Sequence, residues 1–524
     1  NERFHVMPRE MPLVMIREII DGFGAAAARM RTAGLDGIEV IAAHGYLLSQ
    51  FLNPRTNQRA DAYGDDRQLF VREVLTAVRR AVGEDMVVGI RISGDEMEHD
   101  GMETDEIVEI SSALASAGLV DYLNITAGSS SGLGGSVHIV PPMAVENAYT
   151  APYAEAVRAR VTRFQVPVFV AGRINQPQIA EQVLADGQAD MIGMTRAMIA
   201  DPEMPNKAKA GSFADIRACI ACNQACIGHM LRGFSISCIQ HPETGRELTF
   251  GKLEAAKQPR KIIVAGGGPA GMKAAAIAAA RGHDVTLYEA APRLGGQVNL
   301  AQLLPGRAEF GGLTTNLARE MELAGVDVRT GSTVDLDLIT QLRPDAVVVA
   351  TGALPYAPPL EGRDEAHVVD AWQVLRGEAN VGSDVVISDW RGDWIGMGLA
   401  EQLVLNGCRV RLAVNGITPG QMIPQYVRDN WLGKLHRLGV EMIPYARPFG
   451  ADSDTVYLQH TLSGEPIICE GADTLVTAYG HQSVTGLEGE LADWEGEVHV
   501  VGDCLAPRTA EEAVLEGLKA GVAI

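Results

Sequence analysis

Long apolar runs are missing from this chain. No stretch reaches the ~18 to 20 residues that span a bilayer. No charged stretch followed by an apolar one opens the sequence as given. Membrane insertion is not expected, and a cytoplasmic location is. Basic residues are also scarce: 44 Lys and Arg stand against 66 Asp and Glu, a formal net charge of −22 that repels phosphate backbones and anionic lipid. Nucleic acid is excluded as a partner class. Cysteines number 7, an odd count, and four of them crowd between Cys219 and Cys238 while Cys408, Cys469 and Cys504 are scattered. That distribution suits a ligand cluster in a reducing compartment better than a disulfide framework. Low-complexity segments and short-period repeats are absent.

What is present is an ordinary globular composition, 47% hydrophobic and 21% charged over 524 residues. That length allows about three to four domains of ~150 residues. Up to about residue 210, short apolar runs alternate with helical patterns, as in βα units around a parallel sheet. Strands are expected at Asp36 to Ile41, Met86 to Ile92, Asp121 to Thr126, Pro167 to Ala171 and Asp190 to Met194. Five strands do not close a barrel of eight. About three βα units are therefore expected to precede Asn1, and the chain, which opens on Asn rather than Met, reads as N-terminally truncated.

The strongest chemical signal is Cys219-x2-Cys222-x3-Cys226-x11-Cys238. Three thiolates within eight residues can wrap one face of an iron–sulfur cluster, and the fourth closes the set from across a loop. A structural zinc site and unligated cysteines are the alternatives. Zinc favours paired C-x2-C units, and only the first pair has that spacing.

The second signal is Lys261-Ile-Ile-Val-Ala-Gly266-Gly267-Gly268-Pro269-Ala270-Gly271, followed by a helical run and a strand ending at Glu289. A lone GxGxxG is weak. This one follows a strand, opens a helix and meets an acid at the end of the next strand, the pattern that sets a pyrophosphate on a helix N-terminus and a ribose on a carboxylate. Downstream, Leu294-Gly295-Gly296-Gln297, Ala350-Thr351-Gly352 and Val501-Gly502-Asp503 resemble, in order, elements of two-dinucleotide flavoproteins. Together they favour FAD, or an ADP remnant of it, over NAD. A purely structural glycine turn is the alternative.

In the first part, Gly172-Arg173 and Thr195-Arg196 follow the fourth and fifth expected strands, where barrels build phosphate sites. Arg91 points a cation toward the same strand ends, suited to an anionic reduced flavin ring. His44 and Tyr46, after the first strand, are placed for substrate contact or proton transfer. The plainer alternatives are surface ion pairs for the arginines and structural packing for His44 and Tyr46.

Gly34-Leu-Asp-Gly-Ile-Glu-Val40, Ala43-His-Gly-Tyr-Leu-Leu-Ser-Gln-Phe-Leu-Asn-Pro54, Asn57-Gln58-Arg59 and Tyr63-Gly64 resemble the old yellow enzyme (NADH:flavin oxidoreductase) family. With the cysteine segment and the Gly266 fingerprint in the same order, the chain resembles its multidomain branch, which includes 2,4-dienoyl-CoA reductase, trimethylamine and histamine dehydrogenases and N-methylproline demethylases. The resemblance implies an α/β fold: the C-terminal part of a TIM (β/α)8 barrel, an Fe–S segment and two Rossmann-like nucleotide-binding domains. The expected domains are 1–211, 212–255, 256–383 with 480–524, and an inserted 384–479. It implies FMN held by Arg91, Gly172, Arg173, Thr195 and Arg196, with His44 and Tyr46 facing substrate. It also implies a [4Fe–4S] cluster on Cys219, Cys222, Cys226 and Cys238. FAD or ADP is implied on Gly266, Gly268, Gly271 and Glu289, with Gln297, Thr351, Gly352, Gly502 and Asp503 beside it. A homo-oligomer is expected.

Two departures stand out. The loop at Tyr63-Gly64-Asp65-Asp66-Arg67 is shorter than the family's, and the family's first three barrel strands, which touch the flavin ring, are missing. The second Rossmann-like unit opens Asp384-Val-Val-Ile-Ser-Asp389-Trp390-Arg-Gly-Asp-Trp394-Ile-Gly396-Met-Gly398, with irregular glycine spacing and two tryptophans where a pyrophosphate needs bare backbone. Nicotinamide binding is not expected there. Oxidation of a methylated amine or betaine is therefore expected, with electrons leaving through the cluster to an electron-transferring flavoprotein. NAD(P)H-dependent reduction of 2-enoyl or 2,4-dienoyl-CoA substrates is the alternative, and a non-catalytic flavin relay the third reading. Ser129, Ser130 and His138 define no substrate shape.

Overall fold

The computed structural model describes residue 5 and residues 9–524; Asn1, where the expected first domain begins, lies outside them. Tertiary contacts divide the chain into two units, residues 1–197 and 198–524.

The first unit is built on five parallel strands, β1 (Gly37–Ala42), β2 (Val87–Ser93), β3 (Tyr122–Thr126), β4 (Val168–Ala171) and β5 (Met191–Gly193), adjacent in sequence order. No strand end departs by more than one residue from the sequence expectation. Inward residues such as Val88, Ile90, Ile92, Leu123 and Val168 are fully buried, which is why these runs read as apolar and β-branched. The intervening helices are amphipathic: Leu69–Val82 buries Phe70, Val71, Val74, Leu75 and Val78 at helical spacing. Thr104–Ser116 starts on a capping box between Glu103 and Glu106. Sequential parallel strands with intervening helices are barrel winding, and this winding sets every loop that follows a strand on one edge of the sheet.

The second unit opens with the short helix Met204–Lys209 and then the cysteine segment, whose regular structure is confined to the short turns Phe213–Asp215, Ile227–Leu231 and Glu247–Phe250. Then come β6 (Lys261–Ala265) and β7 (Asp284–Glu289), inside a five-stranded parallel sheet completed by Asp327–Thr330, Ala346–Val349 and Glu497–Val500. The chain leaves this sheet after Val349 and returns to pair Glu497–Val500 against Ala346–Val349. Between them lies a second five-stranded parallel sheet around Asp384–Asp389, with an antiparallel three-stranded layer at residues 446–470. The helix Pro269–Ala280 lies against Ala510–Ala523. The close approach requires Gly517, where a Cβ would sit 2.3 Å from the Ala270 carbonyl oxygen. Lys273, almost fully buried, pairs with Glu320 at 3.0 Å and Glu243 at 3.3 Å. None of the seven cysteines forms a disulfide. No helix among the described residues is long and apolar enough to cross a membrane.

Candidate functional site

The glycine turn after β6 opens on a cavity of about 900 Å³, at the upper end of ligand pockets. Gly266 has φ +120°, and a Cβ there would meet the Ala350 carbonyl oxygen at 2.2 Å. Gly271 sits behind the wall, its hypothetical Cβ 2.0 Å from the Gly266 oxygen. Gly268 is different: nothing lies within 4 Å of a Cβ built there. It is the N-cap of the helix Pro269–Ala280, with no side chain capping it. That leaves helix N–H groups and the positive end of the dipole free for an anion. Glu289 accepts from Gly267 N and Ala291 N, both at 2.7 Å, which fixes the acid at the cavity wall. Gln297, Thr351, Gly352, Gly502 and Asp503 also line the cavity.

The cavity continues to Gln224 of the cysteine segment and to Arg307, Trp394 and His481. Among the described residues no three His, Cys, Asp or Glu side chains meet closely enough to hold a single metal ion. The four thiols are nonetheless neighbours. Burial pushes the Cys222 thiol well up, and Cys226, Cys238 and Cys219 push it further. Cys238 is pushed up to about 12, by burial first and then by Cys219.

In the inserted unit, two acids rather than the tryptophans fill the turn after Asp384–Asp389. Asp389 is buried, its Oδ2 accepts no hydrogen bond, and its Oδ1 accepts from Gly392 N at 2.9 Å. Burial, and then Asp393, push its carboxyl well up. Asp393 caps the helix Trp394–Leu405 by accepting from Ile395 N. Gly396 is required because a Cβ there would lie 2.5 Å from the Asp389 carboxylate, and Gly398 because one would lie 2.8 Å from Leu304. Both glycines are thus explained by internal packing. Trp390 turns outward and stacks on Tyr479 at 5.3 Å, whereas Trp394 lines the cavity.

In the first unit, His44 follows β1 with φ +61°. Its Nδ1 has no partner. Burial first, and Arg91 second, lower its pKa from 6.5 to about 4, so the imidazole is neutral near pH 7. The Tyr46 ring meets it edge-on at 6.2 Å and is half exposed. Arg91 Nε lies 2.8 Å from Glu39 Oε1 but out of line for a hydrogen bond, so the contact is an ion pair only. Glu39 also accepts from Tyr122 and Asn124. Gly172 packs on Thr150, 2.4 Å from a hypothetical Cβ. Arg173, left-handed at φ +57°, donates to the Val145 and Met143 carbonyls. Arg196 donates to the Pro141 carbonyl at 2.8 Å, and Thr195 opens the short helix Thr195–Ala200. The two guanidinium groups therefore hold the 141–145 loop. His44 Nδ1, Asn124 Oδ1, His138 Nδ1 and Thr150 Oγ1 are buried without partners on β3 or on loops that follow β1 and β3. Orphaned polar atoms of this kind fit an edge that receives a polar ligand such as FMN.

Residues 1–214 match the NADH:flavin oxidoreductase / NADH oxidase family, and residues 260–517 match the pyridine nucleotide-disulphide oxidoreductase family. An NADH oxidase of Thermoanaerobacter brockii is 34% identical over 98% of this chain and 78% of its own. The chain belongs to the NADH:flavin oxidoreductase / NADH oxidase family. An N,N-dimethylglycine/sarcosine dehydrogenase of Chromohalobacter salexigens is 37% identical over 79% of this chain and 62% of its own. The solved structure of 2-naphthoyl-CoA reductase with 2-naphthoyl-CoA superposes with a TM-score of 0.91 at 28% identity, over 98% of this chain and 77% of that one.

Several residues of this NADH:flavin oxidoreductase-family chain escaped the sequence reading: Gln224, Arg307, Trp372, Asp393 and His481 all line the cavity. One signal was available. Gln224 lies between two of the clustered cysteines, so a cavity wall shared with that segment had to include its neighbours. Arg307 and His481 carry no motif.

Proposed function

We propose that this flavoprotein oxidises a methylated amine or betaine at the strand-end edge of the first unit and passes the electrons on through the cysteine segment. The observation that carries this reading is the pair of acids in the inserted unit. Asp393 occupies from within the helix N-terminus where a nicotinamide dinucleotide would place its pyrophosphate, and Asp389, bound to Gly392 N, fills the turn beside it. The open, uncapped turn at Gly268 is the contrasting case in the same chain.

The cofactors follow from the same residues. FMN would sit beside His44, Tyr46, Arg91, Gly172, Arg173, Thr195 and Arg196. Mutual neighbourhood of four partly buried cysteines supports a [4Fe–4S] cluster on Cys219, Cys222, Cys226 and Cys238. The volume of the cavity and its extent to Trp394 support FAD over ADP. When bound, FMN supplies two-electron acceptance and the cluster a one-electron exit to an external electron-transferring flavoprotein. His44, kept neutral by burial, offers a hydrogen bond and no positive charge to the substrate. Tyr46, half exposed, orients the reacting C–N bond. The substrate amine, with its nitrogen lone pair unprotonated, loses a hydride from the N-methyl or α-carbon as that lone pair forms the iminium, and water hydrolyses the iminium to the aldehyde of that carbon and the amine freed of it. A reducing cytoplasmic setting fits cysteines that form no disulfide.

A second reading is NAD(P)H-dependent reduction of a 2-enoyl thioester, and the NADH oxidase relative favours it. Anaerobic titration decides between them. A methylated amine or betaine, including N-methylproline, trimethylamine and dimethylglycine, bleaches the flavin while NADH and NADPH leave it oxidised over minutes. Rapid bleaching by NADPH, followed by reoxidation with a 2-enoyl thioester, would overturn the proposal.

A further inference from the structure

Arg307 is a buried cation shared by three parts of the 198–524 unit. Its guanidinium carbon lies 4.7 Å from the Phe310 ring centre and 5.2 Å from that of Trp394. Its Nε has no hydrogen-bond partner. It lines the dinucleotide cavity beside Gln224 of the cysteine segment and Asp393 and Trp394 of the inserted unit. Burial lowers its pKa to about 10, and the neighbouring Cys222 sulfur and Asp393 carboxyl act against that shift. It therefore remains cationic at neutral pH.

A desolvated cation held between two aromatic faces with an unsatisfied donor is costly to fold around. Packing does not explain it, since an apolar side chain of similar volume would fill the space between Phe310 and Trp394. Adding an electron to a thiolate-ligated cluster adds negative charge inside the protein. Fixed charge nearby and burial are among the levers that set cluster potential. In a low-dielectric interior such a charge acts with little screening by salt.

We propose that Arg307 is a positioning residue for the redox centre of the cysteine segment, its positive charge favouring the reduced cluster and Asp393 opposing it. The inserted unit thus contributes charge to electron transfer in place of a nucleotide. The inference rests on the reading that Cys219, Cys222, Cys226 and Cys238 hold a cluster.

The test is a potentiometric titration of the cluster in the full chain, followed by its electron paramagnetic resonance signal, with iron and acid-labile sulfide measured in each sample. Arg307→Met should lower the cluster potential by about 59 mV, the one-electron equivalent of tenfold in the reduction equilibrium. Arg307→Lys should keep most of the wild-type value, because the charge remains. Asp393→Asn preserves the helix cap, since Asn caps as well as Asp, and should raise the potential. Opposite signs from two neighbouring residues are not produced by loosened packing. Should Arg307→Met fail to fold, Asp393→Asn and Arg307→Lys still decide the matter. Potentials that stay put, or move in the same direction for Arg307→Met and Asp393→Asn, would overturn the inference. Absence of iron and labile sulfide from the wild-type chain would instead sink the cluster reading beneath it.

Discussion

Gln297 donates through Nε2 to Asp503 Oδ2 at 2.7 Å, a contact between residues 206 positions apart. It ties the loop after β7 to the turn that leads into the last helix, and both residues line the same cavity. Asp503 is further held by Arg508 N at 3.1 Å and, through its backbone oxygen, by Ser483 Oγ at 2.8 Å. Removing the carboxylate breaks charge-assisted bonds of about 1.5 to 3 kcal/mol each. Asp503→Ala is therefore expected to weaken adenine-dinucleotide binding by tenfold or more, roughly 1.4 kcal/mol per decade. Calorimetric titration of the nucleotide-free protein with FAD checks this.

The two glycines of the first fingerprint should fail in different ways. Gly268 has ordinary φ and open space toward the cavity, so Gly268→Leu should fold and lose adenine nucleotide. Gly271 has the Gly266 oxygen 2.0 Å from a hypothetical Cβ, so even Gly271→Ala forces the turn apart and lowers the melting temperature. Nucleotide released by heat and quantified by chromatography, with a thermal melt of each variant, separates the two. FMN content should be unchanged in Gly268→Leu, because the proposed FMN residues lie outside the unit that holds this cavity.

The parallel strands and the Gly266 turn were legible because each rests on local periodicity or a short motif, and all five strands of the first unit fall within one residue of expectation. The inserted unit was expected to cradle a nucleotide poorly because of two tryptophans, and the structure puts other side chains in that turn. Trp390 turns outward onto Tyr479, and the acids at 389 and 393 fill the turn. A sequence shows which residues are near a turn and does not show which way each side chain points. Arg173 and Arg196 illustrate the same limit: both stand after the expected strands, yet their guanidinium groups reach carbonyls of the 141–145 loop. Arg307 was invisible because its partners, Cys222, Phe310 and Trp394, come from three separate segments.

His44 makes stability depend on pH in a defined direction. Its folded pKa is about 4 against 6.5 when unfolded, so between these values the unfolded chain binds the extra proton and stability falls as pH falls. Linkage gives a loss of about 2 kcal/mol between pH 7 and pH 5 from this group. Urea unfolding followed through the first unit should show that loss in the wild type and a correspondingly smaller one in His44→Gln. Equal pH dependence in both proteins would refute the assignment.

The cysteine segment makes a compositional prediction. All three other cysteines act on the Cys222 thiol, which burial pushes well up. Cys222→Ala should abolish the broad visible absorbance of an iron–sulfur centre and remove both iron and acid-labile sulfide. Stoichiometric zinc in place of iron would contradict it.

Tyr46 is the sharpest probe of which substrate the first unit takes. It follows β1 at the loop edge, half exposed, and its backbone begins the helix Leu47–Leu52 without using its side chain as a cap. Among the described residues, its ring meets that of His44 edge-on at 6.2 Å. Losing the hydroxyl should therefore leave the fold intact. If the hydroxyl orients an amine against the flavin, Tyr46→Phe slows substrate-driven bleaching by about tenfold, the worth of one hydrogen bond near 1.4 kcal/mol. FMN content and the melting temperature stay at wild-type values. His44 remains neutral from pH 5 upward, so the bleaching rate of the variant should show no inflection near 6.5 that the wild type lacks. Stopped-flow reduction under anaerobic conditions with dimethylglycine, N-methylproline or trimethylamine measures the rate directly. An unchanged rate with retained FMN would remove Tyr46 from the site, and a lost response to a 2-enoyl thioester instead of an amine would transfer it to the reductase reading.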